Sequence, residues 1–171
     1  MKTKIIVMVV LLFFLVACTE KEAPSGPIHY KTPFGFSFEY PRTYGIKEAS
    51  SNGIRVFKNV DEAESPRFSI YPREDEDINI REITEETMIE IVERAYSVSE
   101  VGGFENVMVN DIQFVSIDVA IVDDGFTYLL KQAYFNVNDK GYIFIALTEG
   151  ESFSSLDMYT EVLYSIKATP H

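Results

Sequence analysis

The stretch IQFVSIDVAIVDDGFTYLLKQAYFNVNDKGYIFIAL, residues 112–147, decides the fold. It divides into three strongly apolar runs, 112–122, 127–137 and 142–147, separated by Asp123-Asp124-Gly125 and by Asn138-Asp139-Lys140-Gly141. Parallel strands need crossovers of about a dozen residues or more, so connections this short predict an antiparallel meander. Asn110-Asp111 adds a further strand, 104–109, to its front. Val115, Ile117, Val119 and Ile121 form one apolar row, whereas Tyr142-Ile143-Phe144-Ile145-Ala146-Leu147 is apolar on both faces. A strand of that second kind belongs in a sheet covered on both sides.

Two amphipathic helices are available as covers. The first has Thr84 as N-cap, Glu85 and Glu86 where a helix dipole favours anions, and Met88, Ile91, Val92, Ala95 and Ser99 on one face. Gly102-Gly103 is its expected stop. The second carries Leu156, Tyr159, Val162, Leu163 and Ile166 on its stripe, with Ser154 or Ser155 as cap. Upstream, Phe34, Phe36, Phe38 and Tyr40 alternate with Gly35, Ser37 and Glu39 until Pro41 ends the run, the period of a half-buried strand. Asn52-Gly53 is a hairpin turn between strands at 46–50 and 54–60, and a short strand is expected at 67–71 before an acidic loop at 73–80. The expected fold is α+β, an antiparallel β-sheet meander with helices on both faces and the aromatic N-terminal hairpin at one edge.

Length and composition narrow the classes. A chain of 171 residues that is 46% hydrophobic suits one domain with its own core. The net charge of −12 argues against nucleic acid as a partner, since neutralising phosphates takes clustered Lys and Arg. One cysteine, Cys18, excludes a disulfide framework and a paired-cysteine metal site.

Lys2 and Lys4 precede thirteen apolar residues, 5–17, a run of signal-peptide length and too short for a bilayer-crossing helix of about 20 residues. It closes on Leu15-Val16-Ala17-Cys18, which resembles the lipobox of prokaryotic lipoproteins. That resemblance implies a diacylglyceryl group on the Cys18 thiol and cleavage before it, hence a protein anchored at the extracytoplasmic face of the cell membrane. Two acyl chains anchor stably where one does not. Cleavage would also remove Lys2 and Lys4, taking the net charge to −14. Residues 18–32, with Pro24-Ser25-Gly26-Pro27, read as a tether, and 33–171 as the globular domain.

The opening Phe34-Gly35-Phe36-Ser37-Phe38-Glu39-Tyr40-Pro41, with Tyr44 after it, and the closing Tyr159-Thr160-Glu161-Val162-Leu163-Tyr164-Ser165-Ile166 resemble the first strand and terminal helix of the PsbP-like family. The order of hairpin, helix, meander and helix between them agrees. The resemblance implies an α/β/α sandwich and a non-catalytic binding or assembly module. Family members include extrinsic subunits of photosystem II, but a Trp frequent near Tyr44 is absent here, so no binding residue transfers.

The residues give little catalytic chemistry. Ser-His-Asp and Cys-His mechanisms need an oriented imidazole, and the two histidines are His29 in the tether and His171 at the end. Asp75, Asp77, Asn79 and Glu86 fall at positions 1, 3, 5 and 12 of an EF-hand-like loop, which keeps a calcium-binding lipoprotein as the alternative function. Ile80 stands where such a loop needs glycine, and a solvated acidic loop leading into a helix fits the same residues. A carboxylate hydrolase is a third reading, because its acid pair is defined only in space. Asp118 interrupts an apolar strand and is expected at a surface or hydrogen-bonded position. Tyr30, Tyr40, Tyr44, Phe57 and Tyr71, with Arg42, Lys47, Arg55 and Lys58 nearby, form either the core beside the sheet or a partner-binding patch. Tyr44, Arg42, Arg55 and Phe57 are the partner-binding candidates. No cofactor is implied; the expected partners are the membrane, through the lipid, and a protein.

Overall fold

A computed structural model describes residues 25–50, 52–58, 67–73, 79–150 and 152–169. The signal segment and Cys18 lie outside them.

Among the described residues ten strands, numbered in chain order, form two sheets. The smaller joins β1 (Ile28–Lys31), β2 (Phe36–Tyr40) and β10 (Lys167–Ala168) in the order β1-β2-β10. The larger contains β3 (Gly45–Ser50), β4 (Gly53–Phe57), β5 (Phe68–Pro72), β6 (Val98–Val109), β7 (Ile112–Asp123), β8 (Phe126–Val137) and β9 (Lys140–Glu149). Its order is β3-β4-β5-β9-β8-β7-β6, antiparallel throughout. The short helices are α1 (Glu85–Glu93), entered through a 3₁₀ turn at Ile80–Glu82, and α2 (Asp157–Tyr164), entered through another at Phe153–Leu156.

Three two-residue turns hold the meander. Asn110 and Asp111, Asp124 and Gly125, and Asn138 and Asp139 all have φ between 48° and 82°. That left-handed pair of residues matches the twist of antiparallel ribbons and is tolerated best by Asn, Asp and Gly. The turns set the register: Val109 faces Ile112, Asp123 faces Phe126, and Val137 faces Lys140.

Alternation then sends side chains into two separate cores. Val115, Ile117, Val119 and Ile121 pack with Leu130, Tyr134, Met88 and Val92, beneath α1. Phe114, Ala133, Phe135, Tyr142, Phe144 and Ala146 pack on the opposite face with Leu156, Tyr159, Val162 and Leu163. As expected, Thr84 caps α1, its hydroxyl accepting from Thr87 N–H at 3.2 Å.

The second face is covered as much by strand as by helix. Phe36, Phe38 and Tyr40 of β2 belong to that core, with the Phe36 ring 5.0 Å from Tyr142 and the Phe38 ring 5.9 Å from Phe68. The molecule is mostly antiparallel sheet with two short helices, richer in sheet than a helix-covered sandwich. The 34–40 run therefore lies over the large sheet in a layer of its own, and the β3–β4 hairpin stands at one edge of the large sheet with β6 at the other. Strand β1 also takes Ile28–Lys31, counted above in the tether, into the sheet, where Ile28 faces Tyr40.

Two further expectations are corrected. α1 ends at Glu93, so Ala95 and Ser99 are outside it, and Gly102-Gly103 lies within β6 rather than stopping a helix. β6 bulges between Val98 and Glu100 and between Val101 and Gly103, and a Cβ on Gly102 would come within 2.4 Å of the Phe153 ring. A ring lying on the bare backbone accounts for that glycine. The 3₁₀ turn before α2 is capped by Ser152, whose hydroxyl accepts from Ser154 N–H, not by Ser154 or Ser155.

Gly102→Ala is expected to cost about 1–3 kcal/mol in urea denaturation through overpacking. In a Phe153→Ala background the same substitution should cost much less. Equal costs in both backgrounds would contradict the packing account.

Candidate partner-binding site

A concavity that includes one of the partner-binding candidates lies between the small sheet and α2. Gly26, Pro27, Glu39, Tyr40, Pro41 and Arg42 line one wall, and Met158, Glu161, Val162 and Ser165 the other, around about 290 Å³. Pro41 ends β2, and Tyr44 N–H donates to Pro41 C=O at 2.9 Å, folding the chain back so that Arg42 stays at the rim. Arg42 Nε donates to Gly26 C=O at 3.3 Å. Ser165 ties the walls together: its hydroxyl accepts from Glu39 N–H at 2.8 Å and donates to Val162 C=O at 2.6 Å. The result is an open cleft with Tyr40, Pro41, Met158 and Val162 as apolar surface and one cation beside two carboxylates. Its volume is at the low end for sites that enclose small molecules, about 300–1,000 Å³. It suits a side chain or short peptide segment of a partner better than an engulfed substrate.

A larger hollow of about 540 Å³ lies among Asn110, Asp111, Asn136, Asn138, Lys167 and Ala168, but two of its amides are engaged in structure. Asn110 Nδ2 donates to the carbonyls of Tyr164 and Ile166, and Asn138 Nδ2 to that of Gly35. These bonds fasten the turn end of the meander to α2 and the small sheet.

The four partner candidates are scattered in role. Arg42 lines the cleft. Tyr44 is half-buried against the main core and interacts with Tyr159, whose phenol is pushed up chiefly by burial and then by Tyr44. Arg55 is exposed on β4, its guanidinium carbon 6.0 Å from the Tyr71 ring centre. Phe57 is 5% exposed and belongs to the interior, as does Tyr40 at 7%, so neither is the exposed aromatic of a surface patch.

Of the calcium candidates, Asp75 and Asp77 lie outside the described residues. Asn79 caps the 3₁₀ turn: its Oδ1 accepts from Arg81 N–H at 3.2 Å and its Nδ2 donates to Glu82 at 2.9 Å. Glu86 is exposed in the first turn of α1. Among the described residues no group of three or more His, Cys, Asp or Glu is placed to hold a metal ion.

Spacing did not single out the most unusual polar group, Lys131. It sits opposite Asp118 across β7 and β8, is 2% exposed, and brings Nζ to 2.7 Å from Asp118 Oδ1. Burial raises the Asp118 carboxyl above its ordinary range, Lys131 opposes that, and Glu105 and Asp157 add to it. Close by, Tyr164 Oη donates to Glu105 Oε2 at 2.5 Å, linking α2 to β6. The sequence does hold a signal for the pair: counting outward from the Asp124-Gly125 turn places 131 opposite 118. A single buried ammonium held by a carboxylate specifies register; it presents no nucleophile and base pair.

No family model matches the sequence, and no curated protein matches it. Solved structures do. The cyanobacterial PsbP protein of Synechocystis (CyanoP) superposes with a TM-score of 0.57 at 13% identity, over 86% of this chain and 95% of that one. LpqN of Mycobacterium tuberculosis, described as involved in cell envelope biogenesis, gives 0.51 at 12% identity, over 85% and 90%. PA94 of Pseudomonas aeruginosa, a protein of unknown function, gives 0.51 at 11% identity, over 86% and 100%. At these identities the likeness is one of fold, and the fold is PsbP-like.

Removing one partner of the buried pair should be costly. Asp118→Ala is expected to lose about 3–5 kcal/mol, while Asp118→Leu with Lys131→Met should recover most of it; urea denaturation of the single and double variants measures both. The ionised Asp118 carboxylate is the disfavoured form, so the native state binds its proton more tightly than the unfolded chain does. Relative to Asp118→Asn, wild-type stability should fall as pH rises from the ordinary carboxylate value toward the raised one, then level off. A difference that instead grew with pH would mean that Lys131 outweighs burial.

Proposed function

We propose that this protein is a lipid-anchored accessory module of the cell envelope, moored through Cys18 and docking a protein partner in the cleft around Arg42. The observation that carries the reading is the conjunction of Leu15-Val16-Ala17-Cys18 with a PsbP-like fold whose first strand begins at Ile28. An envelope role accords with the description of LpqN. Among the described residues no helix is long and apolar enough to cross a membrane. The module is non-catalytic in this reading: its cleft offers one guanidinium and two solvated carboxylates on an apolar floor, a recognition set rather than a reaction set. Arg is among the side chains enriched where partners are anchored. The net negative charge keeps the domain off anionic headgroups while the lipid holds it nearby.

Two measurements test this. In a bacterial host, the full chain should partition into the detergent phase and carry a diacylglyceryl mass on Cys18, whereas Cys18→Ala should remain aqueous. An unmodified thiol on the native protein would refute the anchor. A photo-crosslinker in place of Arg42 or Met158 should yield one discrete adduct that a probe at Lys140 does not. Indistinguishable adducts from all three positions would remove the cleft as the docking site.

A further inference from the structure

The large sheet stops at β6. Among the described residues no strand pairs with its outer side, although it is twelve residues long. Its first half carries both bulges, but from Gly103 to Val109 the register with β7 is unbroken. Val109 and Ile112 flank the two-residue turn and are therefore the hydrogen-bonded pair that closes the hairpin. Alternation from that pair aims the N–H and C=O of Phe104, Asn106 and Met108 away from β7. A regular strand edge of this kind is a template for one more strand.

Two independent features coincide there. Of the large hydrophobic side chains left exposed among the described residues, Val101 and Met108 lie on β6 itself, Tyr96 just before it and Val122 on its partner β7. Met108 is 62% exposed, beside the unpaired backbone. The charges of this strand and its turn have one sign: residues 98–111 hold Glu100, Glu105 and Asp111, and no Lys or Arg. Lysine, the usual guard of an exposed edge, is missing. A second copy of this chain would bring the same acids against them, and like charges facing each other across paired strands repel.

We propose that β6 is a second docking surface, which receives an extended basic segment of another protein as an eighth strand along 103–109. Backbone hydrogen bonds to Phe104, Asn106 and Met108 supply the alignment, Lys or Arg side chains answer the acidic field, and alternate apolar side chains meet Met108 and its neighbours. This surface belongs to β6 and not to the cleft at Arg42, and it does not require the lipid anchor.

The test uses the full chain in detergent and two synthetic heptapeptides, one alternating Lys with Val and one alternating Glu with Val. Hydrogen exchange should show amides within 104–108 slowed by the lysine peptide, which should bind about tenfold more tightly than the glutamate peptide at low salt. Asn106→Pro removes an outward N–H without breaking the β7 ladder and should abolish binding with the far-ultraviolet spectrum unchanged. If that variant does not fold, Met108→Lys provides the same reading, with a loss of about tenfold expected. Equal affinity for both peptides would overturn the proposal. So would protection at β3 instead of β6, or concentration-dependent dimerisation of the protein alone with the same amides protected. Any of these results leaves the Cys18 anchor to stand or fall on its own partition experiment.

Discussion

The structure depends on β8 and β9 being buried on both faces. Leu130 and Tyr134 point into one core while Ala133 and Phe135 point into the other, and β9 divides in the same way. A sheet whose central strands are apolar on both sides is unstable until both are covered. One cover is α1 with its 3₁₀ entry. The other needs more area than an eight-residue helix supplies, and β2 provides it with Phe36, Phe38 and Tyr40. The small sheet is thus a consequence of the aromatic load on the large one.

Stacking the layers this way produces the cleft. Where β2 ends at Pro41 and α2 turns past Ser165, the two elements meet through the Glu39–Ser165 bond and diverge beyond it. Arg42, Met158 and Glu161 line the gap. The turn end of the meander is fastened by Asn110 and Asn138, turn residues whose side chains bond across layers. The same residues that permit left-handed turns therefore also fasten the second layer.

Edge and centre of the sheet treat charge differently. At the centre, Lys131 is tolerated because Asp118 stands opposite it, and the pair disfavours register slips that would leave either alone. At the edge, β6 carries acids and exposed apolar groups and has few features that discourage another strand. Its bulges guard one half only.

How much was legible in the sequence followed the range of the interactions involved. The meander strands at 104–109, 112–122, 127–137 and 142–147 were readable because short turns and a period of two are local, whereas the tighter two-residue turns that take Asp123 into β7 and Lys140 and Gly141 into β9 were not. Thr84 was readable as a cap for the same reason. The end of α1 was not, since the apolar spacing continues past Glu93 while the chain has already turned into β6, an edge strand with weak alternation and a glycine explained only by Phe153. The 2% exposure of Lys131, the burial of Phe57 and the pairing of β2 with β1 and β10 were settled by neighbours far away in sequence. Local periodicity by itself determined the strands of the meander; which layer each element joined, and which charged groups were taken from water, was decided only when two apolar faces had to be covered at once.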